Sequence, residues 1–242
     1  MKHASTPALS SPSMRNGSLH SSRRIQAFFA GIAHRYDLAN HLLSGGCDFL
    51  WRRKAARTVA GWKPQRILDL ATGSGDLAKD LGKACPGCFI VGADFCAPML
   101  LRAQEKGIVN LIAADALRLP FASETFDVAT VAFGLRNMES WDAALLEAAR
   151  VLRPGGRLLI LDFSVPRAPF RWVYRPYLHW LLPTMAGIIT GTKTAYEYLG
   201  ESIERFPAGE EMETLLRQAG FRAAQSDPLL FGVVTLYTAV KP

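Results

Sequence analysis

The chain has 242 residues, 49% of them apolar, which suits one full α/β domain with a sizeable core. No run approaches the ~18 apolar residues of a membrane span, and no apolar h-region opens the chain, which argues against a secretory signal. The net charge of +7 is unevenly held: residues 1–66 carry eleven Lys or Arg against two acids, whereas the remainder carries seventeen against nineteen. That asymmetry suits an anionic partner, either a membrane leaflet or nucleic acid, or else a solvated basic tail.

Residues 1–24 are Ser-rich, poor in apolar residues and without acids, and read as a disordered basic tail. The bias also resembles an organellar transit peptide, for which the segment is short. Residues 25–62 read as a helical extension. There Tyr36, Asp37 and Asn40 form a polar set in an apolar helix, with Tyr36 and Asn40 on one face. They can act as a lid over a cofactor or cap their own helix.

The core begins near residue 63. In Ile67–Asp76 (ILDLATGSGD) an apolar strand-like run carries Asp69 and breaks into Gly73 and Gly75, flanking Ser74; a helix-like stretch, Leu77–Leu81, follows. Strand, glycine turn and helix bring backbone close to a cofactor at the carboxyl edge of a parallel sheet. Phe89–Asp94 reads as a second strand. Its terminal Asp94 lies 19 residues beyond Gly75, near the ~20-residue offset of a ribose-binding acid. Asn110–Ala116 reads as a third strand with Asp115 at its tip. Phe126–Ala132 and Arg157–Phe163 supply two more. Between these two, Asp142–Leu152 has a helical apolar face and stops at RPGG, Arg153–Gly156. The alternation predicts a parallel, doubly wound sheet, buried on both faces, with ligands outside its carboxyl ends. Each acid alone can merely cap a turn. Three of them in register with a glycine loop favour a cofactor site.

The four cysteines include Cys85-Pro-Gly-Cys88, a C-x-x-C spacing. Cys47 and Cys96 form no second ligand pair, so no metal is expected and Pro86-Gly87 reads as a turn. Free thiols suit a reducing cytoplasm. A nicotinamide enzyme calls for Tyr-x-x-x-Lys on a helix. Tyr237 and Lys241 have the spacing but lie in VVTLYTAVK, which reads as a strand that holds them ~13 Å apart. The acid at Asp115 and the proline-glycine turn before the fifth strand suit S-adenosyl-L-methionine better.

Further motifs run through the chain: IAHRYDLANHLLSGG at Ile32–Gly46, WRRKA at Trp51–Ala55, LDLATGSGDLA at Leu68–Ala78 and DFCAPML at Asp94–Leu100. ADALRLPF at Ala114–Phe121, FGLRN at Phe133–Asn137, RVLRPGGRLLILDFS at Arg150–Ser164 and AYEYLGESI at Ala195–Ile203 follow. With these the chain resembles the ubiquinone/menaquinone biosynthesis C-methyltransferase family (UbiE/MenG type) from about Phe28 to Pro242. RYD-x-x-N, FGLRN and YxYLxxSI are specific to that family; the glycine loop and RPGG are shared by most class I methyltransferases. Ser74 replaces the usual Thr and keeps a hydroxyl, and Cys96 stands where Ser is common.

The resemblance implies a class I S-adenosylmethionine-dependent methyltransferase: α/β, with a doubly wound, mostly parallel seven-stranded sheet and an N-terminal helical extension. Residues 63–165 would form the cofactor-binding core and 166–242 the substrate-side helices and C-terminal strands. The cofactor contacts would be Asp69, Gly73, Ser74 and Gly75 at the loop, Asp94 at the ribose, and Asp115 and Ala116 at the adenine. The reaction implied is methylation of a ring carbon of a polyprenylated quinol, demethylmenaquinol first, or 2-methoxy-6-polyprenyl-1,4-benzoquinol. FGLRN follows the fourth strand, where a methyl acceptor lies. Arg136 is permanently cationic and can stabilise a developing phenolate; Asn137 can orient the hydroxyl or a water. In the alternative, Arg136 pairs with a helix acid and Asn137 caps the next helix. Tyr36, Asn40, Tyr196 and Ser202 would line the substrate pocket, and the base stays unassigned among His34, His41 and His179.

Trp172–Thr190 is strongly apolar but broken by Pro176 and Pro183. It suits an isoprenoid groove, a membrane-surface contact or a core helix pair. The expected setting is cytoplasmic, peripheral to a membrane; a homodimer is left open. No nucleic-acid partner is expected, because AFGLRN offers neither [DNS]PP[YFW] nor a catalytic Cys.

Overall fold

The computed structural model describes residues 44–166, 168–176, 178 and 200–242. The expectations for residues 1–24, for Tyr36, Asn40 and Tyr196, for the three histidines and for most of Trp172–Thr190 lie outside the described residues.

The described chain opens with helix α1 (Cys47–Gly61), which buries Trp51, Ala55, Ala56 and Val59 along one face. Strand β1 (Arg66–Leu70) leads through the glycine turn into α2 (Asp76–Ala84). Then come β2 (Phe89–Asp94), α3 (Ala97–Glu105), β3 (Leu111–Ala113), β4 (Phe126–Ala132), α4 (Trp141–Val151) and β5 (Leu152–Phe163). The short α5 (Arg171–Pro176), a helical stretch at residues 200–205, α6 (Glu210–Gln218), β6 (Arg222–Leu229) and β7 (Val234–Val240) complete it.

The strands form one seven-stranded sheet in the order β3-β2-β1-β4-β5-β7-β6. The first five are parallel; β7 runs antiparallel to both β5 and β6. Alternation along the strands fills two cores. In β5, Leu158 and Ile160 enter the core that α4 and α6 close, while Leu159 and Leu161 enter the one that α1 and α2 close. Each such side chain adds roughly 1.5–3 kcal/mol by leaving water. The strand order reverses between β1 and β4, and such a switch point opens a crevice at the carboxyl edge.

Two boundaries differ from expectation. β5 begins at Leu152, which pairs with Phe126; the register then shifts so that Arg157 pairs with Val128. Arg153–Gly156 is therefore a bulge within the strand, where Pro and Gly are tolerated. β3 stops at Ala113, and Asp115 sits in a turn beyond it whose carboxylate accepts from the Leu117 N–H at 2.9 Å. Tyr237 lies in β7, as expected, and Lys241 directly follows that strand: the Tyr237 hydroxyl accepts from the Gly209 N–H, and Lys241 Nζ donates to the Leu152 carbonyl.

Candidate functional site

A cleft of about 1040 Å³, solvent-facing space included, opens across the carboxyl ends of β3, β2, β1 and β4. A concave cleft with an apolar lining and a few convergent polar groups suits a small-molecule ligand. Asp115, Asp94 and Asp69 line it from the first three of these strand ends, and Phe133–Asn137 follows the fourth.

Asp69 is buried in β1, and the hydroxyls of Thr72 and Thr130 each donate to it at 2.6 Å. Burial pushes its carboxyl up to about 6; the two hydroxyls oppose that, and the Asp94 charge adds to it. Past Leu70 the backbone turns sharply: Ala71, Gly73 and Gly75 all have positive φ (49°, 56° and 81°). Gly73 donates its N–H to Asp94 at 2.8 Å, and Cys96 donates to the other Asp94 oxygen at 2.8 Å. Asp94 thus ties the loop after β1 to the loop after β2. Burial raises its pKa, and the backbone N–H donors lower it in part.

Ser74 also lines the cleft, and its hydroxyl accepts from Lys106 Nζ at 2.9 Å. Gly75 does not line it. A Cβ there would stand 2.9 Å from Ile108 and 3.0 Å from Ala103, so glycine lets the loop pack on α3 and its C-terminal turn. Ala116 lines the cleft beside Asp115.

At the end of β4, Phe133 takes positive φ (57°), and a 3₁₀ turn, Leu135–Asn137, follows. A Cβ on Gly134 would lie 2.5 Å from the Ala71 Cβ. The tips of β1 and β4 therefore touch. Positive φ at two non-glycine residues facing the same crevice is backbone strain of the kind that gathers at functional sites.

The two FGLRN residues part ways. Asn137 lines the cleft. Arg136 does not: its guanidinium is buried, donates to Asp162 and to the Phe133 carbonyl at 2.6 Å each, and lies 5.3 Å from the Phe163 ring centre. Its partner is a strand acid rather than the helix acid weighed from sequence. Burial raises the Asp162 pKa, and Arg136 opposes that most strongly. Ser202 is buried in the helical stretch at residues 200–205 and is not part of the cleft wall.

Sequence reasoning gave no role to Arg52. It comes from α1, pairs with Asp48, lies 3.6 Å from Asp76 and sits over the Phe133 ring at 5.4 Å. It places a buried cation in the cleft wall beside the glycine loop. Its sequence signals were membership of the WRRKA motif, which gave it no role, and the Asp48–Arg52 spacing, which reads as an ordinary helix pair.

The donor set fits S-adenosylmethionine. Asp94 would accept from vicinal hydroxyls, and Asp115 with Ala116 would meet a base. The glycine loop and Arg52 suit an amino-acid carboxylate.

Residues 18–241 match the model of the ubiE/COQ5 methyltransferase family. The demethylmenaquinone methyltransferase of Thermus thermophilus is 46% identical over 220 residues, covering 88% of this chain and 100% of that one. The ubiquinone/menaquinone biosynthesis C-methyltransferase UbiE of Syntrophotalea carbinolica is 44% identical over 219 residues, covering 88% and 92%. Among solved structures, a Thermotoga maritima S-adenosylmethionine-dependent methyltransferase, described as a possible histamine N-methyltransferase, superposes with a TM-score of 0.66 at 20% identity, covering 90% of this chain and 100% of that one; the likeness is one of fold. The chain is an S-adenosylmethionine-dependent methyltransferase, and it belongs to the ubiE/COQ5 methyltransferase family.

Proposed function

We propose that the enzyme methylates a ring carbon of a polyprenylated quinol, demethylmenaquinol in the first place. The observation that carries this reading is the order of groups along the cleft. Acceptors suited to adenine and ribose, then the glycine loop beside Arg52, lead across β3, β2 and β1 to the FGLRN turn at β4. The names of the relatives supply the substrate class.

S-adenosylmethionine supplies the electrophilic methyl group. Asp115 and Ala116 hold its adenine, Asp94 its ribose, and Asp69, Gly73, Ser74, Gly75 and Arg52 shape the pocket for its amino-acid end. A quinol ring carbon becomes a competent nucleophile once the neighbouring hydroxyl loses its proton. Asn137, in the cleft wall, orients that hydroxyl. Arg136 is a positioning residue: paired with Asp162, it holds the turn that carries Asn137. Tyr36, Asn40, Tyr196 and Ser202 are assigned to the quinol side by the resemblance alone; within residues 25–62, α1 closes a core with α2 and is not part of a lid. The substrate's tail lies in a bilayer, so the enzyme works peripherally at a membrane surface.

The test is direct. Purified protein is incubated with S-adenosylmethionine and either short-tailed demethylmenaquinol or the 2-methoxy-benzoquinol. Mass spectrometry should find a ring C-methylated product and S-adenosylhomocysteine with the first. Product from the benzoquinol alone moves the substrate to that pathway, and no product from either quinol overturns the reading.

A further inference from the structure

Among the described residues, the carboxyl edge of the sheet carries exposed apolar side chains on the side of the cleft. Because β5 and β6 are each antiparallel to β7, they run in the same direction. The turn after β6, Leu230–Gly232, therefore emerges at the same edge as the end of β5 and the cleft. In that turn Leu230 (φ 44°) and Phe231 (φ 57°) both hold left-handed backbone. That conformation is unfavourable for an ordinary residue, and the surrounding structure must impose it.

The two strained residues stand in solvent, Leu230 49% and Phe231 69% exposed. Phe170 stacks on Phe231 with ring centres 4.4 Å apart, and Trp172 is 78% exposed. Helix α1 starts at the same edge, where Trp51 packs on Phe133 and Phe163 near the tips of β4 and β5; its first turn leaves Leu50 63% exposed. A stacked pair of exposed rings, one of them on strained backbone, with further exposed apolar side chains at the same edge, is unusual on a surface that faces only water.

Charge indicates the occupant. Arg171, between Phe170 and Trp172, is exposed; its Nε donates to the Pro166 carbonyl, and no carboxylate pairs with it among the described residues. Aromatic rings beside a cation suit the boundary between phosphate headgroups and acyl chains, where rings enter the apolar side and Arg meets phosphate. The same chain segment leads back to the cleft wall. Phe163, seven residues before Phe170, lies 4.9 Å from Phe133 in the cleft wall.

We propose that this edge is the membrane-docking face. Phe170, Trp172, Leu230 and Phe231 seat in the interfacial region of an anionic leaflet and Arg171 binds lipid phosphate, so that the cleft opens toward the bilayer. The proposal rests on the quinol reading above for its purpose, but not for its test.

The full-length protein is co-sedimented with vesicles of phosphatidylcholine, with and without phosphatidylglycerol. Phe170→Ser/Phe231→Ser should lower the partition coefficient at least tenfold on both. Arg171→Gln should lower it only where phosphatidylglycerol is present. Turnover on a water-soluble, short-tailed quinol should be unchanged in both variants, which shows that they fold. If the double variant does not fold, Trp172→Ser gives the same readout. Unchanged partition in folded variants overturns the proposal. So does loss of a dimer in sedimentation velocity without change in vesicle binding, which would assign the face to a second copy. A fall in thermal stability without change in vesicle binding also overturns it, by assigning the face to the chain's own remaining segments. Wild-type vesicle binding through these residues without turnover on any quinol would overturn the quinol reading and leave the docking face standing.

Discussion

Arg136 donates from 2.6 Å to Asp162, a carboxylate with no solvent exposure, across 26 residues of chain. The turn after β4 is thereby clamped to β5. Removing one partner of a buried pair strands the other, whereas replacing both with apolar groups is often neutral.

Arg136→Met should therefore destabilise the fold by about 3–5 kcal/mol, read by urea unfolding. Arg136→Met/Asp162→Leu should recover most of that, and turnover should recover with it if Arg136 only positions Asn137. A double variant that is stable yet ~10²–10³-fold slower would instead place the Arg136 charge at the acceptor.

Asp94→Ala removes the carboxylate that faces the cleft and holds the N–H groups of Gly73 and Cys96. Charge-assisted bonds of roughly 1.5–3 kcal/mol each predict at least about tenfold weaker binding of S-adenosylmethionine. Isothermal titration calorimetry measures this; unchanged affinity would remove Asp94 from the ribose.

Gly134→Ala places a methyl 2.5 Å from the Ala71 Cβ. Overpacking of that kind costs about 1–3 kcal/mol. Because Ala71 leads into the glycine loop, cofactor affinity should fall along with stability. A variant with wild-type affinity and stability would mean that the two strand tips separate freely.

The pH dependence of stability should carry a signature of Asp69. Its folded pKa, about 6, lies above the ordinary carboxylate value near 4. The folded state therefore binds the proton more tightly, so this group's contribution is full below pH ~4 and is lost as pH rises through 6. Over that window wild-type stability should fall by roughly 3 kcal/mol relative to Asp69→Asn, which does not titrate. Paired unfolding curves at both ends of the window test it. Parallel behaviour of the two proteins would mean that Asp69 titrates normally.

Local pattern carried much of the architecture. β2 and β4 have the bounds expected from their apolar runs, and α4 differs from its periodicity by one residue at each end. The acids at the tips were legible because a strand ending in a carboxylate leaves a recognisable break in apolar character. What the pattern hid was pairing at a distance. Asp162 looked like one more residue of RLLILDF, although an acid in a doubly covered strand demands a cation, and Arg136 answers it from the β4 turn. Arg52 was hidden differently. Its bond to Asp48 looks like a surface helix pair until α1 is packed against α2 and the Phe133 ring. Arg153–Gly156 ended α4 as expected, but its Pro and Gly were too strong a turn signal to reveal the bulge that continues into β5.

The order β3-β2-β1-β4 also works as a ruler. Neighbouring strands lie about 4.8 Å apart, so the four tips span roughly 14 Å from the Asp115 turn to the turn after β4. Main-chain hydrogen bonds meter that length, and side chains barely adjust it. On the proposed reading, where the methyl group is delivered is thus a property of the sheet, and what receives it is a property of the segments grafted beyond β4 and β5. Such a chain can exchange one acceptor for another by redrawing those segments while the distance from base to transfer point stays the same.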